Sequence, residues 1–164
     1  MHARESRSEA PEITITRVFN APRDLVFRVW TDPAYVAQWW GVDGSTNPVC
    51  ELDVRSGGSW RIDMRTPDGM VYPNHGIYLD VVENERIVYK DVADPSSPAW
   101  DGAPPGEIVH TITFADHDGK TKVTLHARFA SVSDRDRLTG FGMIRGIEQS
   151  LDRLERLLAK ERGA

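Results

Sequence analysis

The residue best suited to acid–base chemistry is His110, which lies between Ile108 and Ile112 in an alternating apolar segment. The alternation places all three side chains on one face of a strand, so the imidazole belongs to the apolar face. Two interpretations remain open. The histidine is packed in the core, or it lines a cavity where it hydrogen-bonds a carbonyl or hydroxyl group, or acts as an acid or base.

A second candidate is Glu148, which flanks the apolar stripe of a predicted C-terminal helix. It lies three residues after Arg145, a spacing that favours a local ion pair. The alternative is a carboxylate that faces a cavity and has a raised pKa. His75 begins a strand and is predicted to be exposed or at a rim. Tyr78 offers a hydroxyl group, but its apolar neighbours favour an outward orientation.

The other candidates are apolar and would form either the walls of a cavity or a plain core, which a sequence does not distinguish. The full set of predicted ligand-binding residues is Trp60, Ile62, Met64, His110, Ile112, Phe114, Phe141, Ile144 and Glu148. No catalytic residue is assigned, and His110 is the one candidate for such a role.

Known catalytic and metal-binding motifs are absent from the sequence. It has no nucleophile elbow, no His-Glu-x-x-His, no cysteine pair with metal-ligand spacing and no glycine-rich phosphate loop. We therefore predict neither a metal nor a cofactor, and an enzymatic role stays uncertain and less favoured than binding.

Composition restricts the possible partners and location. The net charge of −5, without a cluster of lysines and arginines, argues against nucleic acid or an anionic membrane as a partner. No apolar run is long enough to cross a membrane, and the N-terminus shows no signal-peptide pattern. With Cys50 as the single cysteine, these features predict a cytoplasmic protein without an internal disulfide.

The candidate residues require a framework of strands and one long helix. A strand is predicted at 13–19, then a helix at 23–30 and a short helix ending at Trp39. Further strands are predicted at 48–54, 60–65, 75–82, 86–91, 107–115 and 121–129. Turn signals such as Pro67-Asp68-Gly69 and Asp118-Gly119 join them as an antiparallel meander. We expect one domain over residues 13–162, preceded by a flexible tail at 1–12.

An amphipathic helix is predicted from about Ser133 to Lys160. Its start resembles a capping box, with Asp136 three residues after Ser133. Apolar residues recur three or four apart on one face, as in a helix that covers a sheet. They are Leu138, Phe141, Ile144, Ile147, Leu151, Leu154 and Leu158.

The first half of this helix contains Gly140, Gly142 and Gly146. Each glycine costs about 1 kcal/mol relative to alanine inside a helix. Either the helix starts late or frays, or the glycines leave room for a ligand and its gate. The proline-rich segment 93–106, with an exposed-looking Trp100, is either a flexible insertion or a lid over the same end.

Several segments taken together resemble one known family. They are the segments 15–27, 31–33, 67–69, 76–82, 85–89 and 146–154, together with Gln38-Trp39-Trp40-Gly41 and Gly57-Gly58-Ser59-Trp60-Arg61. They are similar to bacterial homologues of the C-terminal domain of the heat-shock-90 ATPase activator, within the START-like (SRPBCC) superfamily. The resemblance implies an α+β helix-grip fold, like that of START domains and the birch-pollen allergen. In this fold a curved antiparallel sheet wraps around a long C-terminal helix, with two short helices after the first strand.

The resemblance also implies a function, because the superfamily includes carriers and receptors that hold small molecules in an internal cavity. We therefore predict a binding protein for a small hydrophobic or aromatic ligand, with its cavity between the C-terminal helix and the sheet. One alternative is a cyclase or dehydratase type of enzyme that uses the same cavity, with His110 as acid or base. Another is a protein-interaction module that contacts the heat-shock-90 chaperone. The sequence is compatible with a monomer or a homodimer.

Overall fold

The order of strands and helices follows the turn signals in the sequence. A computed structural model of the protein describes residues 10–163. Its elements are β1 (Glu12–Phe19), α1 (Arg23–Thr31), α2 (Pro33–Trp39), β2 (Thr46–Leu52), β3 (Ser59–Arg65), β4 (Val71–Val82), β5 (Arg86–Val92), β6 (Ile108–His117), β7 (Lys120–Arg128), α3 (Val132–Gly140) and α4 (Met143–Gly163). The predicted tail at 1–12 falls largely outside the described residues, and Glu12 already begins β1.

The strands form one antiparallel sheet in the order β1-β7-β6-β5-β4-β3-β2. Strands β2 to β7 pair with their neighbours in sequence, as the predicted meander requires, and β1 crosses to pair with β7. The β6–β7 connection has left-handed backbone at Asp118 (φ 52°) and Gly119 (φ 81°). A two-residue turn of this kind matches the twist of the strands it joins, so it fixes the β6–β7 register.

Helix α4 packs its apolar stripe against the concave face of the sheet, where the main core lies. Leu151, Leu154 and Leu158 are at most 2% exposed and belong to the same cluster as Ile112. Helices α1 and α2 close one end, and the Trp39 indole Nε1 donates to the Val29 carbonyl at 2.9 Å. The predicted helix-grip fold is confirmed. Among the described residues, no helix has both the length and the apolar character to cross a membrane.

The predicted single C-terminal helix is wrong at its start, because it is two helices separated at Phe141 and Gly142. Gly142 has a φ of +93°, which a right-handed helix does not contain, so α3 ends and α4 starts in a new direction. The cap also differs from the prediction. The Ser131 hydroxyl, rather than Ser133, accepts a hydrogen bond from the Asp134 amide at 3.0 Å.

The proline-rich segment 93–106 is anchored to the body of the protein at two points. Trp100 is partly buried and packs on a small cluster that contains Ile108 and Leu138, so the exposed position expected for it is wrong. The Gly106 amide donates to the Asp134 carboxylate at 2.9 Å. This segment therefore covers the region beside the break between α3 and α4.

Candidate ligand-binding cavity

An internal cavity of about 290 Å³ lies between α4 and the concave face of the sheet, and we call it the inner cavity. Its walls come from α1 and α2, the segment after α2, strands β2 to β7 and α4. Most of the lining side chains are apolar or aromatic. The lining residues are Trp30, Val36, Trp39, Trp40, Gly41, Val42, Leu52, Trp60, Ile62, Met64, Tyr78, Ile87, Tyr89, Asp91, His110, Ile112, Leu125, Met143, Gly146, Ile147, Ser150 and Leu151.

Five of the nine predicted ligand-binding residues line this cavity: Trp60, Ile62, Met64, His110 and Ile112. Their role in binding stays a prediction, because no ligand is present. Phe114 is 3% exposed but packs edge-to-face on Phe27, at 5.3 Å between ring centres, and is not part of the lining.

The remaining three, Phe141, Ile144 and Glu148, do not line the inner cavity. Phe141 is 65% exposed and Ile144 is 39% exposed, and Glu148 is also exposed. The break at Gly142 explains the exposure of Phe141, which lies outside both helices. Ile144 and Glu148 lie in α4 itself, beside the face that meets the cavity. Met143, Gly146, Ile147 and Ser150 face the cavity instead, at the helical spacing.

Three aromatic rings form a row across neighbouring strands of the cavity wall. Tyr78 of β4 pairs with Tyr89 of β5, which pairs with His110 of β6. The Tyr89 and His110 rings are stacked, with centres 4.6 Å apart and an interplanar angle of 16°. Tyr78 therefore faces inward, contrary to its predicted orientation. Burial raises the pKa of Tyr78 and of Tyr89, and the charge of Asp91 raises that of Tyr89 further.

A carboxylate that sequence reasoning missed, Asp91, lies beside His110 in the same wall. The Asp91 Oδ2 and His110 Nε2 atoms are 3.6 Å apart, which is too long for a hydrogen bond. The Nε2 atom is buried and has no hydrogen-bond partner among the described residues. The Asp91 side chain keeps 29% of its surface open. Two polar groups thus face an apolar cavity without satisfying each other.

Trp60 adds a third unsatisfied polar atom. Its partner across the sheet is Gly76, and the next residue in the same row is Asp91. A Cβ atom on Gly76 would lie 2.8 Å from the Trp60 Nε1 atom, so the indole lies across the glycine, towards β5. The Nε1 atom is buried and has no hydrogen-bond partner within residues 10–163.

Helix α4 holds the wall segment after α2 by a set of hydrogen bonds. The Ser150 hydroxyl accepts from the Gly41 amide and donates to the Gly41 carbonyl, both at 2.9 Å. The Arg153 guanidinium donates to backbone carbonyls of Gln38, Gly41, Val42 and Ser45 at 2.9–3.1 Å. Burial lowers the pKa of Arg153. These bonds fix the position of the wall that Trp40, Gly41 and Val42 contribute.

A second cavity of about 280 Å³, the outer cavity, lies under segment 93–106 and the break between α3 and α4. Trp100, Leu138 and Phe141 contribute to it. The two cavities share Val42, Asp91, Met143 and Gly146. The two cavities therefore adjoin at Asp91 and Gly146, and we expect a ligand to pass from the outer cavity to the inner one at this junction.

The sequence profile of the family described as activator of Hsp90 ATPase homolog 1-like protein matches residues 20–159. The chain belongs to this family. The match includes every element from α1 onward, with the last few residues of α4 excepted. The family lies in the START-like superfamily, so the resemblance found in the sequence motifs is confirmed. No curated protein sequence matches the chain.

Solved structures of several bacterial proteins share the fold of this family member. A protein from Nitrosomonas europaea is 23% identical with a TM-score of 0.81, over 93% of this chain and 97% of that one. A protein from Chromobacterium violaceum is 29% identical with a TM-score of 0.78, over 90% and 96%. The AHSA1 protein from Silicibacter pomeroyi is 22% identical with a TM-score of 0.73, over 92% and 99%.

Gly146, at the junction of the two cavities, allows a test of the access route in this family member. An alanine Cβ at this position would make an ordinary contact, 3.5 Å from Val42 Cγ1. We expect Gly146→Ala to raise the free energy of unfolding by about 1 kcal/mol, because alanine favours a helix interior. We also expect slower binding of a fluorescent apolar dye in stopped-flow measurements, because the methyl group narrows the junction.

The matched control for this substitution is Gly140→Ala, at the end of α3, where a Cβ atom would meet nothing within 4 Å. It should leave the binding rate of the dye unchanged. An unchanged rate for Gly146→Ala as well would show that the dye reaches the inner cavity by another path.

Cys50 lies on β2 behind the cavity wall and packs against the core. Burial raises the pKa of its thiol to about 11. The folded protein should therefore react slowly with iodoacetamide at pH 8, and the rate should climb as the pH approaches 11, because the thiolate is the nucleophile. In the unfolded chain the thiol ionises near pH 8.5. Its contribution to stability is thus present below that pH and is lost as pH rises towards 11.

The control for Cys50 is the same alkylation in urea, where the thiol should react at the rate of a free cysteine. Equal rates in native buffer and in urea at pH 8 would show that the thiol is not protected by the fold.

Proposed function

We propose that the protein binds a small apolar or aromatic molecule in the inner cavity. The observation that carries the proposal is an apolar space of about 290 Å³ bordered by Trp60 and His110, each with a buried polar atom that lacks a partner. Ligand sites commonly combine apolar walls with a few polar groups that fix orientation. Buried polar atoms are rarely left without a hydrogen-bond partner in a folded protein. A bound ligand would supply the missing partners of these two atoms.

A thermal-shift series with aromatic compounds and fatty acids tests this proposal. Binding to the folded state raises the melting temperature by an amount that grows with the logarithm of the ligand concentration above Kd. Ile147→Trp, on the cavity face of α4, should abolish the shift by filling the space. Leu79→Trp, at a position that is 45% exposed and does not line the inner cavity, is the matched control and should retain the shift. The proposal fails if no compound stabilises the protein, or if Ile147→Trp responds as the control does.

A second candidate function is acid–base catalysis in the same cavity, which the position of Asp91 favours. Its carboxylate lies 3.6 Å from His110 Nε2, so a small movement would let it accept a hydrogen bond from the ring and orient the ring. A dehydratase step fits these groups. His110 would take the proton beside the carbonyl of a β-hydroxy ketone while the carbon–oxygen bond of the hydroxyl group breaks. The departing hydroxide takes that proton from His110 and leaves as water, so the histidine returns to its starting state.

The catalytic candidate is tested with the aldol of benzaldehyde and acetone, whose dehydration gives the conjugated ketone benzylideneacetone. The rise in ultraviolet absorbance should depend on enzyme concentration and be lost in His110→Gln. Glu148→Gln, on the exposed side of α4, is the control. A rate equal to that of buffer alone would leave only the binding function.

Chaperone binding, the third prediction from the sequence, requires an apolar surface outside the cavity. Phe141 and Ile144 supply two exposed apolar side chains at the start of α4. A pull-down with purified heat-shock-90 chaperone, compared with the Phe141→Ser and Ile144→Ser variants, would decide whether they form such a surface. A cytoplasmic location and a monomeric or homodimeric state remain predictions.

A further inference from the structure

We infer that the inner cavity selects neutral ligands that carry a hydroxyl group, such as phenols and alcohols with an apolar body. The selecting groups are Trp60 Nε1, Asp91 Oδ2 and His110 Nε2, which we call the polar arc. This inference rests on the proposed binding function and adds to it the chemical class of the ligand.

The register of the sheet brings the three groups of the polar arc together. Trp60 and Asp91 occupy one row of the sheet, separated by Gly76. His110 is diagonal to Asp91 across the β5–β6 pair, since Asp91 pairs with Ile108 and Tyr89 pairs with His110. Because Gly76 has no side chain, the Trp60 indole lies over it and carries Nε1 towards β5. The arc thus spans four strands, and all three of its residues line one cavity.

The hydrogen-bonding capacity of the arc defines what satisfies it. The Trp60 Nε1 atom is a donor without an acceptor, and the ring nitrogen His110 Nε2 also lacks a partner. A carboxylate such as that of Asp91 accepts hydrogen bonds, and its one ion-pair contact within residues 10–163 is the histidine ring at 3.6 Å. A ligand oxygen that contacts both Trp60 Nε1 and the Asp91 carboxylate must accept and donate at once. A hydroxyl group does both, whereas a ketone oxygen would leave the Asp91 carboxylate unpaired.

Because of the charges around the two cavities, we expect ionised ligands to bind more weakly than neutral ones. No lysine or arginine side chain of the described residues lines either cavity, so a ligand carboxylate would face Asp91 without a compensating cation. A ligand ammonium would pair with Asp91, but it has no lone pair to accept from Trp60 Nε1. A neutral hydroxyl group leaves neither a repelled charge nor an unpaired donor.

The volume limits the apolar body of the ligand. A cavity of about 150 Å³ holds one benzene ring. The inner cavity, at about 290 Å³, therefore suits about two rings or an aliphatic body of similar bulk. Its aromatic wall, with Trp60 edge-to-face on Tyr89 at 5.5 Å between ring centres, offers a planar surface for such rings.

The inference is tested with pairs of compounds that differ only by a hydroxyl or a methyl group. Suitable pairs are phenol and toluene, β-naphthol and β-methylnaphthalene, and para-phenylphenol and para-methylbiphenyl. Titration calorimetry should give at least about tenfold tighter binding for the hydroxyl member of the best-fitting pair, because the methyl group leaves the buried arc unpaired. The ammonium compound β-naphthylmethylamine is titrated as well and is compared with the hydroxyl and methyl members of the naphthalene pair.

Two variants test which groups of the polar arc cause the preference for the hydroxyl ligand. Trp60→Phe keeps an aromatic ring and removes the donor, and Asp91→Asn keeps the size and removes the charge. Each should reduce the preference for β-naphthol over β-methylnaphthalene, because the group that is lost contacts only the hydroxyl member of the pair. In nitrogen–proton NMR spectra, the Trp60 indole signal, assigned by its loss in Trp60→Phe, should move further downfield with β-naphthol than with β-methylnaphthalene, because a hydrogen bond adds to the ring-current shift that both compounds cause.

The outcomes separate this inference from the function on which it rests. Equal affinity for both members of every pair would overturn the polar arc and leave apolar ligand binding intact. Tighter binding of the ammonium compound than of β-naphthol would overturn the hydroxyl assignment in favour of a cation site at Asp91. Absence of binding by every compound would overturn the proposed function and this inference together.

Discussion

Replacing Gly76 by alanine is expected to lower the free energy of unfolding by about 3 kcal/mol or more, at the upper end of overpacking effects. The added Cβ atom would lie 1.7 Å from the Lys90 carbonyl oxygen and 2.8 Å from Trp60 Nε1. The first of these atoms is backbone of the paired strand β5, so it cannot move away without disturbing the β4–β5 pairing. A flexible side chain could give way at little cost, but a sheet backbone cannot.

Urea unfolding followed by tryptophan fluorescence measures this loss, with Gly140→Ala as the matched control. A Cβ atom at Gly140 meets nothing within 4 Å, so that variant should change stability by less than about 1 kcal/mol. If the two variants unfold at the same urea concentration, the close approach of β5 to Gly76 does not exist in solution. The polar arc would then lose the feature that lets Trp60 lie over the strand.

The second large effect is expected at Arg153, where methionine should lower the free energy of unfolding by about 3 kcal/mol. The guanidinium donates to backbone carbonyls of the segment from Gln38 to Ser45 and also to the Ser45 hydroxyl at 3.0 Å. The Gly41, Val42 and Ser45 carbonyls follow helix α2, and the Gln38 carbonyl lies in its last turn, where no further turn of helix supplies donors. Methionine fills similar space but removes the donor from the Gln38 and Ser45 carbonyls in a half-buried place, while Gly41 and Val42 keep their bonds from Ser150 and Ser45.

The comparison with lysine and with an exposed arginine makes the Arg153 test specific. Arg153→Lys keeps the charge but has a single ammonium group that cannot reach both sides of the segment, so it should lose most of the same stability. Arg156→Met, on the exposed side of α4, should have little effect. Full stability of Arg153→Lys would mean that charge alone, and not the spread of hydrogen bonds, holds the wall in place.

The sequence was sufficient for the strands because their signals are local. Alternation from Ile108 to Phe114 and the Asp118-Gly119 turn specify a hairpin without help from distant residues. Leu151, Leu154 and Leu158 likewise show the buried face of α4 by spacing alone. The helix-grip fold follows from such signals combined with the family resemblance.

The start of α4 could not be placed because it depends on one backbone angle. A sequence with Gly142 inside an apolar repeat is consistent with a continuous helix, and only the positive φ in the folded chain shows the break. The break takes Phe141 out of the helix, which explains its exposure, and within α4 it is Met143 rather than Ile144 that shares the cavity-facing side with Ile147 and Ser150.

Asp91 was missed for a different reason, whereas Trp60 and His110 were predicted to line the cavity. Asp91 is a charged residue in a strand, and such residues usually face water. Its position becomes clear only from the register, which aligns it with Trp60 and Gly76 on the concave face. Side chains two residues apart on a strand share a face. This alternation would have predicted an inward Asp91, because Asp91 follows Ile87 and Tyr89 at that spacing on the same strand.

The pairing of β1 with β7 has a consequence for folding during synthesis on the ribosome. Glu12 lies opposite Arg128, so the strand made first finds its place in the sheet more than a hundred residues later. At about 5–20 residues per second, β1 spends several seconds or longer outside the ribosome without that partner. Its apolar side chains, Ile13 and Ile15 among them, are open to wrong pairing during this time. The sheet is completed only after β7 has been made, so a chain that stalls before β7 keeps a free, aggregation-prone strand.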